Sequence, residues 1–102
     1  MTRFSWDERK NRANRRKHGV SFETATRVFE DPLVIFEPDR EVDAEARWQA
    51  IGRVEEHILL LVAHTHEEDD GEETIRIISA RRATARERET FHARSRSGGH
   101  LG

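Results

Sequence analysis

Histidines and arginines carry most of the chemistry this sequence can offer. His64 and His66 stand two apart in a strand-like segment, so their side chains share a face, and the acidic run Glu67 to Asp70 follows at once. Imidazoles beside carboxylates suggest a metal site, but no third ligand stands at a recognisable spacing and an acidic hairpin tip is ordinarily a solvated loop, so neither metal nor cofactor is expected. Arg81 and Arg82 follow the segment TIRIISA and precede Thr84, which opens a helix. Two cations there oppose the helix dipole at a cost of a few tenths of a kcal/mol, roughly. Either a phosphate shared by the guanidinium forks and free helix N–H groups, or salt bridges to the acidic middle of the chain, relieves that cost. His18 ends a helical segment, where an imidazolium offsets the dipole and where an imidazole also suits proton transfer near neutral pH. Trp6 either stacks a base or staples the first helix to the core. Lys10, Asn14 and Lys17 fall on one helical stripe, suited to a phosphate backbone or to water. Arg76, inside its strand, is expected to project with Ile78 and Ala80, with Arg47 or Arg53 on adjacent strands.

The elements that must position these residues follow from pattern and punctuation. Ser5 with Glu8 three residues on has the capping-box form, and the polar run after it ends at Lys17-His18-Gly19, which predicts a first helix over 7–18. Only Trp6 and Ala13 could face a core from it, so the helix lies on the surface with its cations available. A second helix starts at Ser21, sets Phe22, Ala25 and Phe29 on one face, and stops at Asp31-Pro32. The period then changes. Segments 33–37, 47–54, 57–65 and 74–80 read as strands, the continuous apolar run Ile58 to Ala63 being the central one, covered on both faces. Residues 54–57 make a short hairpin connection and Glu67 to Glu73 a longer acidic tip. Thr84 and Glu87 repeat the capping-box pattern and open a helix from about Ala85 to Ala93 that packs Phe91. Two N-terminal helices, a four-stranded antiparallel sheet and a C-terminal helix make an α+β fold, one domain over 1–93, followed by a disordered tail over 94–102.

A chain of 102 residues with 34% hydrophobic content supports one core. No apolar run approaches the roughly 20 residues that span a bilayer, and the opening MTRFSWDERK lacks a signal-peptide apolar region. A soluble, cytoplasmic protein with no membrane partner is expected, and the absence of cysteine excludes disulfides and thiolate metal sites. The net charge of −2 conceals a segregation. Residues 1–20 hold seven Lys/Arg against Asp7 and Glu8, residues 21–75 four Arg against sixteen acids, and residues 76–102 seven Arg against Glu87 and Glu89. Basic ends folded onto one face would make a phosphate-binding field that the balance of the whole chain hides; separate solubilising faces are the alternative.

Two long segments resemble a known family. The opening WDERKNRANRRKHGVSFETA is similar to the W-D-x-x-K-x-x-x-N-x-x-K-H-G-V-x-F-x-x-A start of BrnT-type toxins, and RIISARRATARERETF is similar to that family's R-I-I-S-A-R-[RK]-A-x-x-x-E-R-x-x-[YF] close. Between them, Arg47 with Ile51-Gly52 matches an R-x-x-x-I-G element, so the resemblance runs from Phe4 to Phe91. It implies a RelE-like fold and the toxin of a type II toxin–antitoxin system, an endoribonuclease that inhibits growth by cutting RNA through the ribose 2′-hydroxyl without a metal. It also implies a BrnA-like antitoxin of the ribbon-helix-helix type, with operator DNA contacted only through that partner. By position, the resemblance puts the anion role on Arg81 and Arg82, proton handling on His18 or Lys17, and substrate placement on Trp6, Lys10, Asn14, Arg76 and Arg47. Two positions depart from the family pattern. Thr65 is followed by His66-Glu67-Glu68 where relatives often have a basic residue, and Phe91 stands where many carry tyrosine, which removes a phenolic proton donor. The competing readings are a catalytically weak homologue that acts as a binding module in an antitoxin–operator complex, and a general RNA-binding domain.

Overall fold

In the computed structural model, which describes residues 1–99, the chain opens with a strand before any helix forms. This strand, β1 (Thr2–Ser5), is followed by α1 (Glu8–His18) and by a single helical turn, α2 (Phe22–Ala25), that tightens into a 3₁₀ turn over Thr26–Glu30. Four strands come next, β2 (Ile35–Val42), β3 (Glu45–Glu55), β4 (Ile58–Asp69) and β5 (Glu72–Arg82), and then α3 (Ala85–Gly99). The sheet order is β1-β5-β4-β3-β2. The expected antiparallel meander is present, but β1 adds a fifth strand parallel to β5, in register from Thr2 opposite Glu73 to Ser5 opposite Arg76. The α+β class therefore holds with a mixed, five-stranded sheet in place of a four-stranded antiparallel one. Nothing in the pattern of β1 announced it, because Phe4 is its only residue that is even half-buried. The second of the two expected N-terminal helices is reduced to one α turn and the 3₁₀ segment. At the other end α3 runs past Ala93 to Gly99, and residues 100–102 of the expected tail lie outside the described residues.

Local chemistry sets the boundaries. Asp7, not Ser5, caps α1, its carboxylate accepting from the amides of Arg9 and Lys10 at 2.8 and 3.4 Å. Gly19, at φ 72°, ends the helix in the left-handed conformation and returns its N–H to the Arg15 carbonyl. The acidic tip expected over 67–73 contracts to two residues, because Asp70 and Gly71 both take positive φ (51° and 81°) and form the tight turn whose twist matches a hairpin. Asp43 and Ala44 do the same between β2 and β3, at 51° and 63°.

The sheet separates two apolar clusters. One lies under α1, α2 and the 3₁₀ turn and includes Phe22, Val28, Leu60, Val62 and Ile77; the other, Ile35, Ile51, Leu59, Leu61 and Phe91, lies under α3. Leu59 to Val62 of β4 are buried on both sides, as a central strand requires. Among the described residues no helix is long and apolar enough to cross a membrane.

The 3₁₀ turn rests directly on β3 at Gly52. A Cβ there would stand 2.9 Å from both the Val28 carbonyl oxygen and its Cγ1, so one end of the layer contact is backbone and cannot yield as a side chain tip would. Gly52→Ala should lower the unfolding free energy by about 1–3 kcal/mol, read as a reduced urea midpoint with an unchanged slope.

Candidate functional site

The cationic helix is held to the sheet by amides. The buried residues of α1 are Asn11 and Asn14, 2% and 7% exposed, whereas Ala13, expected to face the core, is exposed. The Asn14 side-chain Nδ2 donates to the carbonyls of Val20 (2.9 Å) and Ala80 (2.7 Å), and its Oδ1 accepts from the Ala80 amide (3.2 Å). Asn11 accepts from the Phe22 amide at 2.8 Å and donates to Glu8 and Glu23, at 3.1 and 2.9 Å. That amide donor holds the Glu23 carboxyl below the usual carboxylate range. Asn14, assigned to substrate by position, is thus fully engaged by the fold. Trp6 is also engaged, edge-on to Phe22 with ring centroids 6.2 Å apart and its Nε1 donating to Glu8 at 3.0 Å. Docking through this face leaves Arg9, Lys10, Arg12, Arg15, Arg16 and Lys17 exposed, and among the described residues none of them forms an ion pair. His18 is exposed at the helix end.

A bulge in β5 decides where the other predicted residues point. Ala63 faces Ser79 while His64 faces Ile77, so Ile78 is an extra residue and the alternation reverses across it. Ile75, Ile77 and Ala80 all join the cluster under α1. Arg76, Ser79 and Arg81 turn to the α3 side, so Arg76 does not project with Ala80 as expected. It pairs with Glu45 of β3. Arg47, two residues along β3 on that same side, keeps a buried Nε with no partner, and Thr65 of β4, 4% exposed, lies between the two arginines.

Arg81 is committed to α3. Its two terminal nitrogens meet the two Glu87 oxygens at 2.8 and 3.0 Å, while Glu87 also accepts from the Thr84 amide at 2.8 Å and so closes the capping box. These donors, Arg81 foremost, hold the Glu87 carboxyl below its ordinary range. The salt bridge of Arg81 is made to the helix that follows β5, not to the acidic middle named as the alternative to a phosphate. Arg82 alternates to the other face, exposed, and makes no ion pair among the described residues. Because β1 leaves β5 beside Arg76 and Asn14 sits on Ala80, α1 runs along β5 and carries its last turn toward Arg82. Lys17, His18 and Arg82 therefore share one end of the α1 face, with Arg47 and Arg76 on the opposite face.

Sequence reasoning missed a cleft of about 490 Å³ at the other end of the α1 face. Phe29, Phe36 and Trp48 wall it, His64 lies in its lining, and His66 and Glu73 meet at its rim at 3.4 Å. The pattern did place His64 and His66 on one face, but the three aromatic residues come from the 3₁₀ turn, β2 and β3, which no local spacing connects. His64 is 2% exposed and stands edge-on to the rings of Phe29 and Phe36, at 5.0 and 6.0 Å. Its Nδ1 lies 3.1 Å from the Thr65 carbonyl, which can only accept, so Nδ1 bears the proton and Nε2 is a buried acceptor without a partner. Burial pushes its pKa down, against the opposing pull of the Thr65 carbonyl. Among the described residues no three His, Asp or Glu side chains gather as a metal ion would require.

Comparison with known proteins places this arrangement. The family model described as "Ribonuclease toxin, BrnT, of type II toxin-antitoxin system" matches residues 6–87. The chain is similar to the crystal structure of the Brucella abortus ribonuclease toxin BrnT, with a TM-score of 0.62 and 26% identity, over 82% of this chain and 99% of that one. No curated protein matches it by sequence.

Two solution measurements follow from these contacts. Asn14→Ala strips partners from both backbone groups of Ala80 and should cost about 2–4 kcal/mol in urea unfolding, with Lys10→Ala within error of wild type. Glu87, its folded pKa depressed from 4.5, contributes stability that is complete above that value and is lost as pH falls through the folded pKa. Between pH 6 and 3 the urea midpoint should therefore fall less steeply in Glu87→Gln than in wild type.

Proposed function

The chain belongs to the BrnT family, the ribonuclease toxins of type II toxin–antitoxin systems, and from that premise we propose that it is an endoribonuclease that cuts RNA without a metal ion. The observation that carries the reading is the state of α1. Six cations stand exposed and unpaired among the described residues, on a helix clamped in place by two buried asparagines. A phosphate backbone is the ligand such a surface suits, because each neutralised phosphate releases condensed counterions.

In the proposed reaction the ribose 2′-hydroxyl attacks the adjacent phosphorus, the P–O5′ bond breaks, and a 2′,3′-cyclic phosphate and a 5′-hydroxyl result. One proton leaves the 2′-oxygen and one is delivered to the departing 5′-oxygen. His18 is the side chain suited to that exchange, Lys17 assists, and Arg82 supplies charge to the phosphorane-like transition state. Arg81 positions α3 through Glu87 and takes no part in the chemistry. Growth inhibition follows from loss of RNA in the cytoplasm. The partner is an antitoxin of the ribbon-helix-helix type that covers α1 with carboxylates and alone touches operator DNA. A second reading puts the anion on the α3 face, between Arg47 and Arg76, and rests on the unpartnered Nε of Arg47.

Cleavage assays separate these readings. Purified protein should cut RNA in excess chelator and leave a cyclic or 3′-phosphate end; activity abolished by chelation and restored by Mg²⁺ contradicts the mechanism. Arg82→Ala should lower the rate at saturating RNA by about 10²- to 10³-fold, whereas Lys10→Ala should weaken binding and flatten its salt dependence. If Arg82→Ala is near wild type and Arg47→Ala is inactive, the anion lies on the α3 face. Failure of every preparation to cut RNA leaves the binding-module and general RNA-binding readings.

A further inference from the structure

The cleft walled by Phe29, Phe36 and Trp48 is not used by any step of the RNA reaction, and it stands in a different electrostatic setting. Both hairpin tips at this end of the sheet are acidic. The β4–β5 hairpin carries Glu67, Glu68, Asp69, Asp70, Glu72 and Glu73, and the β2–β3 hairpin carries Asp39, Glu41 and Asp43. Glu73 accepts from the Thr2 hydroxyl at 3.0 Å and from His66, which together hold its carboxyl below the usual range. A nucleic acid would meet repulsion here.

We propose that this cleft is an aromatic cage that receives the side chain of an arginine on a protein partner. Three components of its lining, the aromatic rings, Glu73 and His64, ask for the same kind of group. Aromatic faces attract a cation. The Glu73 carboxylate attracts one and accepts hydrogen bonds from it. The unpartnered Nε2 of His64 is an acceptor that needs an N–H donor, and leaving it unfilled costs about 1–3 kcal/mol. A guanidinium is planar, stacks on rings and presents five N–H donors in a fork, so it can lie on the aromatic wall and still donate to a polar group beside it; an ammonium is a point charge without that geometry. The entrance can adjust, because Phe36 stands on the edge strand β2 with 44% of its surface exposed. Acids beyond the rim spread the attraction over more surface than one amino acid covers, which suits a basic segment of a polypeptide. The inference does not depend on RNA cleavage, since none of these residues is assigned to it.

The test uses the full chain labelled with ¹⁵N and two blocked tripeptides, Gly-Arg-Gly and its neutral isostere Gly-citrulline-Gly. The arginine peptide should move the Trp48 indole and His64 ring signals, leave the Trp6 indole in place, and bind about five- to thirtyfold more tightly than the citrulline peptide. Glu73→Gln at a half-buried position and Phe36→Leu at an exposed one should abolish that preference while RNA cleavage stays at the wild-type rate. Equal binding of the two peptides, or shifts that persist in both variants, overturns the cage. So does adenosine 5′-monophosphate moving the same signals more strongly, or loss of RNA cleavage in both variants, which would assign the cleft to the nucleic acid and leave the ribonuclease reading intact. Wild-type protein that binds the arginine peptide but cuts no RNA supports the cage and counts against that reading alone.

Discussion

The fold depends on one carboxamide taking the place of a strand. β1 pairs with β5 only as far as Arg76, and beyond that point no strand among the described residues pairs with the outer edge of β5. The N–H and C=O of Ala80 point into that gap, and Asn14 of α1 satisfies both. A buried backbone pair without partners is costly, so the amide fixes where α1 lies, how it is rotated and which side faces water. An apolar stripe could have supplied adhesion but not this definition of position. It would also have consumed helix surface, and the polar anchor lets α1 carry six cations in eleven residues and still dock.

That anchoring has an electrostatic corollary. Cations gather on α1 and at Arg82, near the end where β3 turns into β4, and carboxylates gather on the two hairpin tips at the opposite end. The molecule is close to neutral as a whole but strongly polarised along its sheet. The two ends therefore present fields of opposite sign to whatever approaches them. A partner that covers both ends must itself carry both signs of charge.

Much of this was legible in the residues, and the limits have physical causes. Apolar runs located β2 to β5, capping chemistry located the start of α3, and Ile58 to Ala63 declared the central strand, because each signal is local. β1 was hidden since its pairing is a backbone matter and its side chains are mostly wet. The helical stripe of Lys10, Asn14 and Lys17 was read as a single surface, yet Asn14 is buried, because hydropathy cannot tell an asparagine that faces solvent from one that replaces a strand. One bulged residue, Ile78, sent Arg76 to the other face, and a bulge leaves no mark in composition. Arg81 and Arg82 looked equivalent in sequence; only strand alternation and the reach of Glu87 separate the braced arginine from the free one.

Contacts between the ends of the chain also set a schedule. Asn14 and Ala80 are 66 residues apart, and β1 finds its partner across a similar distance, so β1 and α1 are made well before β5 and wait for it before they have anything to dock on. During translation α1 is a highly charged peptide with marginal intrinsic helicity and no support. Its surface becomes rigid only when β5 has been made. A chain interrupted before β5 thus lacks the edge that organises α1, and that helix is presented in its folded orientation only once β5 is in place.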